Sequence, residues 1–417
     1  MRILILSINY WPEVTGIGAF TTCRAEYLAS AGHDVTVCTT FPYYPEWKVA
    51  ENYRGKWFAS ERRNGVHILR TRVYLPNPVT SLRRVLHEAS YLAGSLPRAL
   101  AGGRPDVILA VSPPLGLGVT ASLLGRFWRV PFVFDVEDLQ PDAAADLGML
   151  PGWALRILYG VEKHAYRHAA LVSTITRGMR SRILQKGVPP QKVVLFEPRA
   201  EESLFQIAPE EGVAFRRKHG LEGKFLVTHS GNLGVKQGMD VILDAAARTR
   251  EEADLQFLLV GDGADRERLE RRAAQMSLTN VRFLPLLPAE EFRGLLAASD
   301  ACLVTQRRSV SDIVFPSKTV TYLAAGCPVV ASVNSGSEVA QTIRDSGAGL
   351  VAEPEDAEAL GRALAELRQR NPAELRRSAR EYARLRWSSE RVLGFIASSL
   401  VSVIGSAPGA LAKQELR

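Results

Sequence analysis

Long hydrophobic runs are missing from this 417-residue chain. No segment approaches the roughly 18 consecutive apolar residues that a membrane span requires. The N-terminal MRILILSINY turns polar too soon for a signal peptide and meets Trp11-Pro12 at once, so it is expected to form a first strand. Cysteine is scarce as well. Cys23, Cys38, Cys302 and Cys327 are scattered without metal-ligand spacing, which excludes zinc, haem and iron–sulfur ligation and fits a reducing cytoplasm. Basic pairs such as Arg83-Arg84 and Arg271-Arg272 have no aromatic residues interleaved with them, so a nucleic-acid stacking platform is not expected. No short internal repeat occurs, and neither Gly-x-Gly loop has the third glycine of a dinucleotide fingerprint.

What is present is a basic, soluble-type composition. The chain has 46% hydrophobic and 23% charged residues, with 52 Lys+Arg against 44 Asp+Glu for a net charge of +8. This excess favours anionic partners such as nucleotides, lipid pyrophosphates or phospholipid surfaces. Short β-branched runs alternate with helical patterns. Strands are expected at Ile3–Ser7, Asp34–Thr39, Val66–Arg70, Val107–Val111, Pro131–Asp135, Leu171–Thr174 and Lys192–Phe196. They resume at Phe225–Ser230, Gln256–Val260, Val281–Pro285, Ala301–Thr305, Val329–Val333 and Gly349–Ala352. Such alternation implies α/β architecture, here two doubly wound domains with a linker through the Pro- and charge-rich residues 197–222. The expected boundaries are 1–197, 198–385, a C-terminal helix over 386–405 that returns toward the first domain, and a tail at 406–417.

Several loops have the composition of an anion site. Gly16 and Gly18 precede a helix and let backbone amides approach an anion at its N-terminus. Gly231-Asn232-Leu233-Gly234-Val235-Lys236-Gln237-Gly238 offers oriented amides and one mobile ammonium at a helix entry, which suits a diphosphate. Gly261-Asp262-Gly263 either lines that site or closes a tight strand-to-helix turn. Pro316-Ser317-Lys318 opens a helix that stops at Gly326, and Cys327-Pro328 then restarts a strand, so Lys318 is expected to meet a phosphate or sugar. Glu137 and Asp138 follow a strand. They either orient and deprotonate a hydroxyl or form a salt-bridged structural pair. Trp11, Tyr43, Tyr44, Trp47, Trp57 and Tyr74 are candidates for sugar stacking or for core packing. Leu82–Arg98 pairs an apolar face with arginines, in the manner either of a helix lying on an anionic membrane or of an ordinary core helix.

The order of NYWPEVTGIG, GHDVTVCTTFPYYP, DVEDLQPD, SGNLGVKQGMD, LVGDG and FPSKTVTYLAAGCPVVAS resembles family-4 retaining glycosyltransferases of the GT-B fold. It is particularly similar to those of bacterial capsule and exopolysaccharide assembly of the colanic-acid type, and the match runs almost to residue 400. The resemblance implies two Rossmann-like domains facing across a cleft, with the donor held mainly by the second and the acceptor by the first. It implies transfer from a UDP- or GDP-sugar to a glycan or polyprenyl-pyrophosphate-linked acceptor, with no metal or other cofactor. It also implies a cytoplasmic enzyme in peripheral contact with the inner face of the cell membrane.

Residue by residue, the resemblance assigns the donor to Gly231, Asn232, Lys236, Gln237, Gly261, Asp312, Pro316, Ser317, Lys318 and Thr321, with Gly16 and Gly18 near donor phosphate or acceptor. The pattern departs from the family at two linked places. Asn232 and Gln237 replace the usual loop Arg and Lys, while Ile313 and Thr321 stand where two glutamates are usual, leaving Asp312 as a nearby carboxylate. Glu137 and Asp138 are expected at the catalytic, acceptor-facing side, where many relatives carry a histidine. Two rival activities follow: a nucleotide-sugar epimerase on the same fold, and a degenerate glycosyltransferase acting as a scaffold.

Overall fold

The computed structural model describes residues 1–13, 16–78, 80–146, 150–309 and 315–405. The chain divides into two units, Met1–Glu197 with the segment from Leu393 onward, and Pro198–Val392. The second unit therefore runs past residue 385, the boundary expected from sequence, because helix Pro372–Trp387 buries Trp387 in that unit's core.

The strands of the first unit are β1 (Arg2–Leu6), β2 (Asp34–Thr40), β3 (Phe58–Arg63), β4 (Val66–Thr71), β5 (Val107–Ser112), β6 (Phe132–Val136), β7 (Leu171–Thr174) and β8 (Val193–Leu195). Among the described residues they form one sheet in the order β3-β4-β2-β1-β5-β6-β7-β8. Its helices are α1 (Gly16–Ser30), α2 (Ser81–Ala101), α3 (Leu117–Trp128), α4 (Gln140–Asp146), α5 (Gly152–His168) and α6 (Arg177–Gln185). The central strands carry buried apolar runs, as in VILAV of β5, because helices cover both faces of a parallel sheet.

One strand departs from the expected all-parallel pattern. β3 pairs antiparallel with β4 through a tight turn in which Asn64 (φ 47°) and Gly65 (φ 81°) are both left-handed. Asn-Gly suits such a turn because both central residues of a type I′ hairpin need positive φ.

The second unit holds α7 (Pro209–His219), β9 (Phe225–Ser230), α8 (Asp240–Arg248), β10 (Leu255–Val260), α9 (Arg266–Gln275), β11 (Val281–Leu284), α10 (Ala289–Ala298) and β12 (Ala301–Thr305). It continues with α11 (Ser317–Ala325), β13 (Val329–Ser332), α12 (Glu338–Ser346), β14 (Gly349–Ala352), α13 (Ala357–Gln369) and α14 (Pro372–Trp387). Its parallel sheet runs β11-β10-β9-β12-β13-β14. Residues 197–222 are thus not a bare linker. Within them α7 packs against α10, with Gly212 so close that a Cβ there would sit 2.7 Å from the Ala297 carbonyl carbon. The last helix, α15 (Ser389–Gly405), passes from one unit to the other at Leu393.

Candidate functional site

In the second unit, strand order reverses between β9 and β12, and open parallel sheets bind ligands at the carboxyl ends of the strands flanking such a reversal. Three loops and one helix N-terminus come together there. β9 leads into Gly231–Gly238, β10 into Gly261, β12 into Arg307, and α11 begins at Ser317 after the N-cap Pro316.

Helix α11 is tied to β9 by two side chains one turn apart. The Tyr322 hydroxyl accepts from the Ser230 backbone N–H at 2.8 Å and lies 2.9 Å from Ser230 Oγ. Lys318, on the same helix face, places Nζ 2.8 Å from His229 Nε2. Burial and the neighbouring ammonium hold His229 well below its usual range, so its imidazole is neutral and accepts from Lys318. Burial also pulls Lys318 down to about 7. A Cβ on Gly231 would lie 3.8 Å from Nζ, so the ammonium sits beside the open backbone of the glycine loop. Among the described residues this is a partly buried cation at a helix N-terminus without a carboxylate partner, which is what an arriving anion needs.

The glycine loop is packed tightly from below. Gly261 (φ 135°) lies against Gly231, and a Cβ there would fall 1.9 Å from the Gly231 carbonyl oxygen. Of the two roles left open for Gly261, the close approach of backbones accounts for the glycine. The Asn232 and Gln237 side chains converge over Gly234, where a Cβ would meet Asn232 Nδ2 and Gln237 Oε1 at 2.9 Å each. Lys236 is exposed, and its carbonyl accepts from Arg307 N at 3.0 Å. Ser317 is exposed, and Thr321 donates to the Ser317 carbonyl at 3.3 Å. Asp312 lies outside the described residues.

His229 and Arg307 were not anticipated. Each carries a signal that could have been used: a titratable side chain next to the end of a buried strand, and an Arg two residues past another.

In the first unit the reversal lies between β1 and β5. The loop after β1 is organised around Glu13, which accepts from the Tyr43 and Tyr44 backbone N–H groups at 2.9 and 2.8 Å and from Asn9 Nδ2 at 2.7 Å. A Cβ on Gly18 would lie 3.1 Å from Glu13 Cβ. On that side Gly18 therefore faces the buried Glu13 side chain. Gly16 (φ 58°) is exposed with nothing near its Cβ position.

Glu137 and Asp138 part company. Arg24 is buried and donates to Asp135 Oδ2 at 2.5 Å and to Glu137 Oε1 at 2.7 Å, while Ser173 donates to Asp135 Oδ1 at 2.8 Å. Burial, opposed by Arg24 and reinforced by the Asp135 carboxylate, pushes Glu137 up to about 7. Glu137 is thus engaged inside the protein, whereas Asp138 is exposed. Nearby, Gln140 donates to Glu88 at 3.2 Å and accepts from Leu115 N at 2.7 Å. Tyr43, Trp47 and His87 form an aromatic group, with Tyr43 Oη 2.9 Å from His87 Nε2. The guanidinium groups of Arg63 and Arg72 stand over the rings of Trp11 and of exposed Trp57.

Comparison with known proteins bears on both units. Residues 15–198 match the family described as glycosyl transferase 4-like domain, and residues 214–386 match glycosyl transferases group 1. The chain is 35% identical over 403 residues to the putative colanic acid biosynthesis glycosyl transferase WcaI of Escherichia coli K12, covering 94% of this chain and 98% of the relative. It is 25% identical to a GDP-mannose-dependent alpha-mannosyltransferase of Mycobacterium tuberculosis, with 79% of each chain covered. Among solved structures, Anabaena HepE in complex with UDP superposes with a TM-score of 0.71 at 17% identity, covering 96% of this chain and 100% of HepE.

Proposed function

The chain belongs to the group 1 glycosyltransferases of GT-B fold, and we propose that it moves a sugar from a UDP- or GDP-sugar to a glycan acceptor carried on a polyprenyl pyrophosphate during cell-surface polysaccharide assembly. The observation that carries the donor half of this reading is the partly buried Lys318 ammonium held by neutral His229 beside Gly231. There the donor diphosphate lies along the Gly231–Gly238 loop and the start of α11, with Lys236 and Arg307 at its rim. The acceptor oxygen forms the new bond to the anomeric carbon as the bond from that carbon to the phosphate oxygen breaks. The acceptor proton leaves with the diphosphate, and Lys318 stabilises the charge that develops on it. The polysaccharide context is supported by the likeness to WcaI, and a guanosine donor by the mannosyltransferase relative. On the acceptor side, exposed Asp138 and the Tyr43–Trp47–His87 group offer a carboxylate and an aromatic face to a sugar.

Lys318→Ala is expected to weaken donor binding or turnover by about tenfold or more, the scale of one lost charge-assisted contact. Titration of the purified protein with UDP-, GDP- and ADP-sugars, followed by turnover, tests it, and unchanged constants would remove Lys318 from the site. Incubation with donor alone separates the epimerase reading, which requires an isomerised nucleotide sugar with no acceptor present.

A further inference from the structure

The glycine loop after β9 is short of cations. At the two places where the resemblance calls for Arg and Lys it carries Asn232 and Gln237, and both amides turn onto the loop backbone. A Cβ on Gly234 would meet Asn232 Nδ2 at 2.9 Å, and one on Gly263 would meet Asn232 Oδ1 at 2.6 Å, so this amide fills the gap between two backbones. Gln237 Oε1 comes as close to Gly234 and is buried with no donor. A charged group folded into that space would lose its hydration, so a neutral amide suits each place.

A guanidinium reaches the same loop from another strand. Arg307 lies two residues past β12, and its backbone N–H donates to the Lys236 carbonyl at 3.0 Å, fastening the two loops together. Its side chain then lies against the last glycine of the loop, where a Cβ on Gly238 would fall 2.9 Å from Arg307 Cγ. Gly238 is also left-handed (φ 59°), so two separate demands keep this position a glycine.

Arg307 is half-buried and its Nε is buried without a partner. Among the described residues no carboxylate or carbonyl engages its guanidinium. Structural arginines of this protein look different: Arg70 and Arg216 each spend their guanidinium on three oxygens. A buried N–H without an acceptor is destabilising, so one kept in that state calls for an acceptor from outside the chain.

The loop thus has one cation at each end, Lys318 beside Gly231 and Arg307 beside Gly238. A diphosphate carries oxygens on two phosphorus atoms, which an ammonium and a planar fork can share. We propose that Arg307 is the donor-binding cation that takes over from the missing loop Arg and Lys, gripping the diphosphate from β12 while Lys318 grips it from α11. This rests on the donor reading above and adds an exchange to it: the positive charge has moved from the β9 loop to the β12 loop. Asn232 and Gln237 are then relocations of charge, which counts against a degenerate scaffold.

The test is titration of the full chain and its variants with UDP and GDP by calorimetry, and with uridine and guanosine by ligand-observed NMR. Arg307→Gln is expected to weaken diphosphate binding by about tenfold or more and to change nucleoside binding by less than about twofold, since a nucleoside offers the guanidinium no phosphate. Arg307→Lys should fall between, keeping the charge without the fork. Adding Gln237→Lys to Arg307→Gln should recover most of the loss, because it returns a cation to the loop. Urea unfolding of the unliganded variants reports folding. Unchanged diphosphate affinity in Arg307→Gln would overturn the proposal. So would an equal loss for nucleosides and diphosphates, which marks Arg307 as a prop for the loop, or a double variant no tighter than Arg307→Gln. Lys318→Ala separates the two readings. If it loses UDP and GDP while Arg307→Gln does not, the donor site stands without Arg307; if the parent binds neither, both readings fall.

Discussion

At the scale of single residues, Lys318 is the position where sequence and environment combine most sharply. A lysine in a first helical turn is ordinarily solvated and charged, but here burial beside His229 lowers it from 10.5 to about 7. Two consequences follow with opposite signs. For stability, the unfolded chain keeps this proton up to about pH 10.5 while the folded chain releases it near 7, so stability should rise across that window. Lys318→Met is therefore expected to be more stable than the parent at pH 7 in urea unfolding, with the gap closing toward pH 10. For binding, an arriving diphosphate favours the ammonium, so near pH 8 nucleotide binding should take up as much as about one proton. Calorimetry in Tris and HEPES measures that uptake, and Lys318→Met should abolish it. Glu137 shows the reverse outcome. Beside Asp138 in sequence it reads as half of a carboxylate pair, yet Arg24, far upstream on α1, holds it inside the protein.

At the scale of elements, α11 positions the site. Its N-terminus is set by Pro316 and its end by Gly326 in the left-handed conformation (φ 76°), both visible as local punctuation. Its attachment to β9 is not local: Tyr322 meets Ser230 and Lys318 meets His229 across the fold. Tyr322→Phe leaves the buried Ser230 N–H unpaired and should cost about 1–2 kcal/mol in urea unfolding. It should also weaken donor binding by letting the helix start drift. Full donor affinity in this variant would show that α11 is held by packing alone. The same distinction explains which elements were legible. Buried parallel strands such as β5 and β10 announce themselves as continuous apolar runs. Strand β3 alternates exposed and half-buried residues, so only its Asn64-Gly65 turn could have revealed it. Helix α7 hides in a charged, Pro-started segment whose Gly212 contact depends on α10.

At the scale of the whole molecule, the chain end belongs with its beginning. Residues from Leu393 group with the first unit, where Phe395 meets Phe196 at 6.2 Å between ring centroids and Gly394 approaches Tyr27. Ending the chain at Val392 should therefore speed amide exchange in α1 and around Phe196 while leaving β9 and β12 of the second unit protected. Loss of protection in the second unit's sheet instead would contradict this division. The amino-acid sequence by itself determined the α/β alternation, most strand positions and the family, because periodicity, turn residues and motif order are local and colinear. Tertiary structure alone decided that Lys318 is held against His229, that the Glu13 side chain lies against Gly18, and that Glu137 is engaged by Arg24. Each of these depends on desolvation or on neighbours brought together from distant parts of the chain, and no local pattern encodes either one.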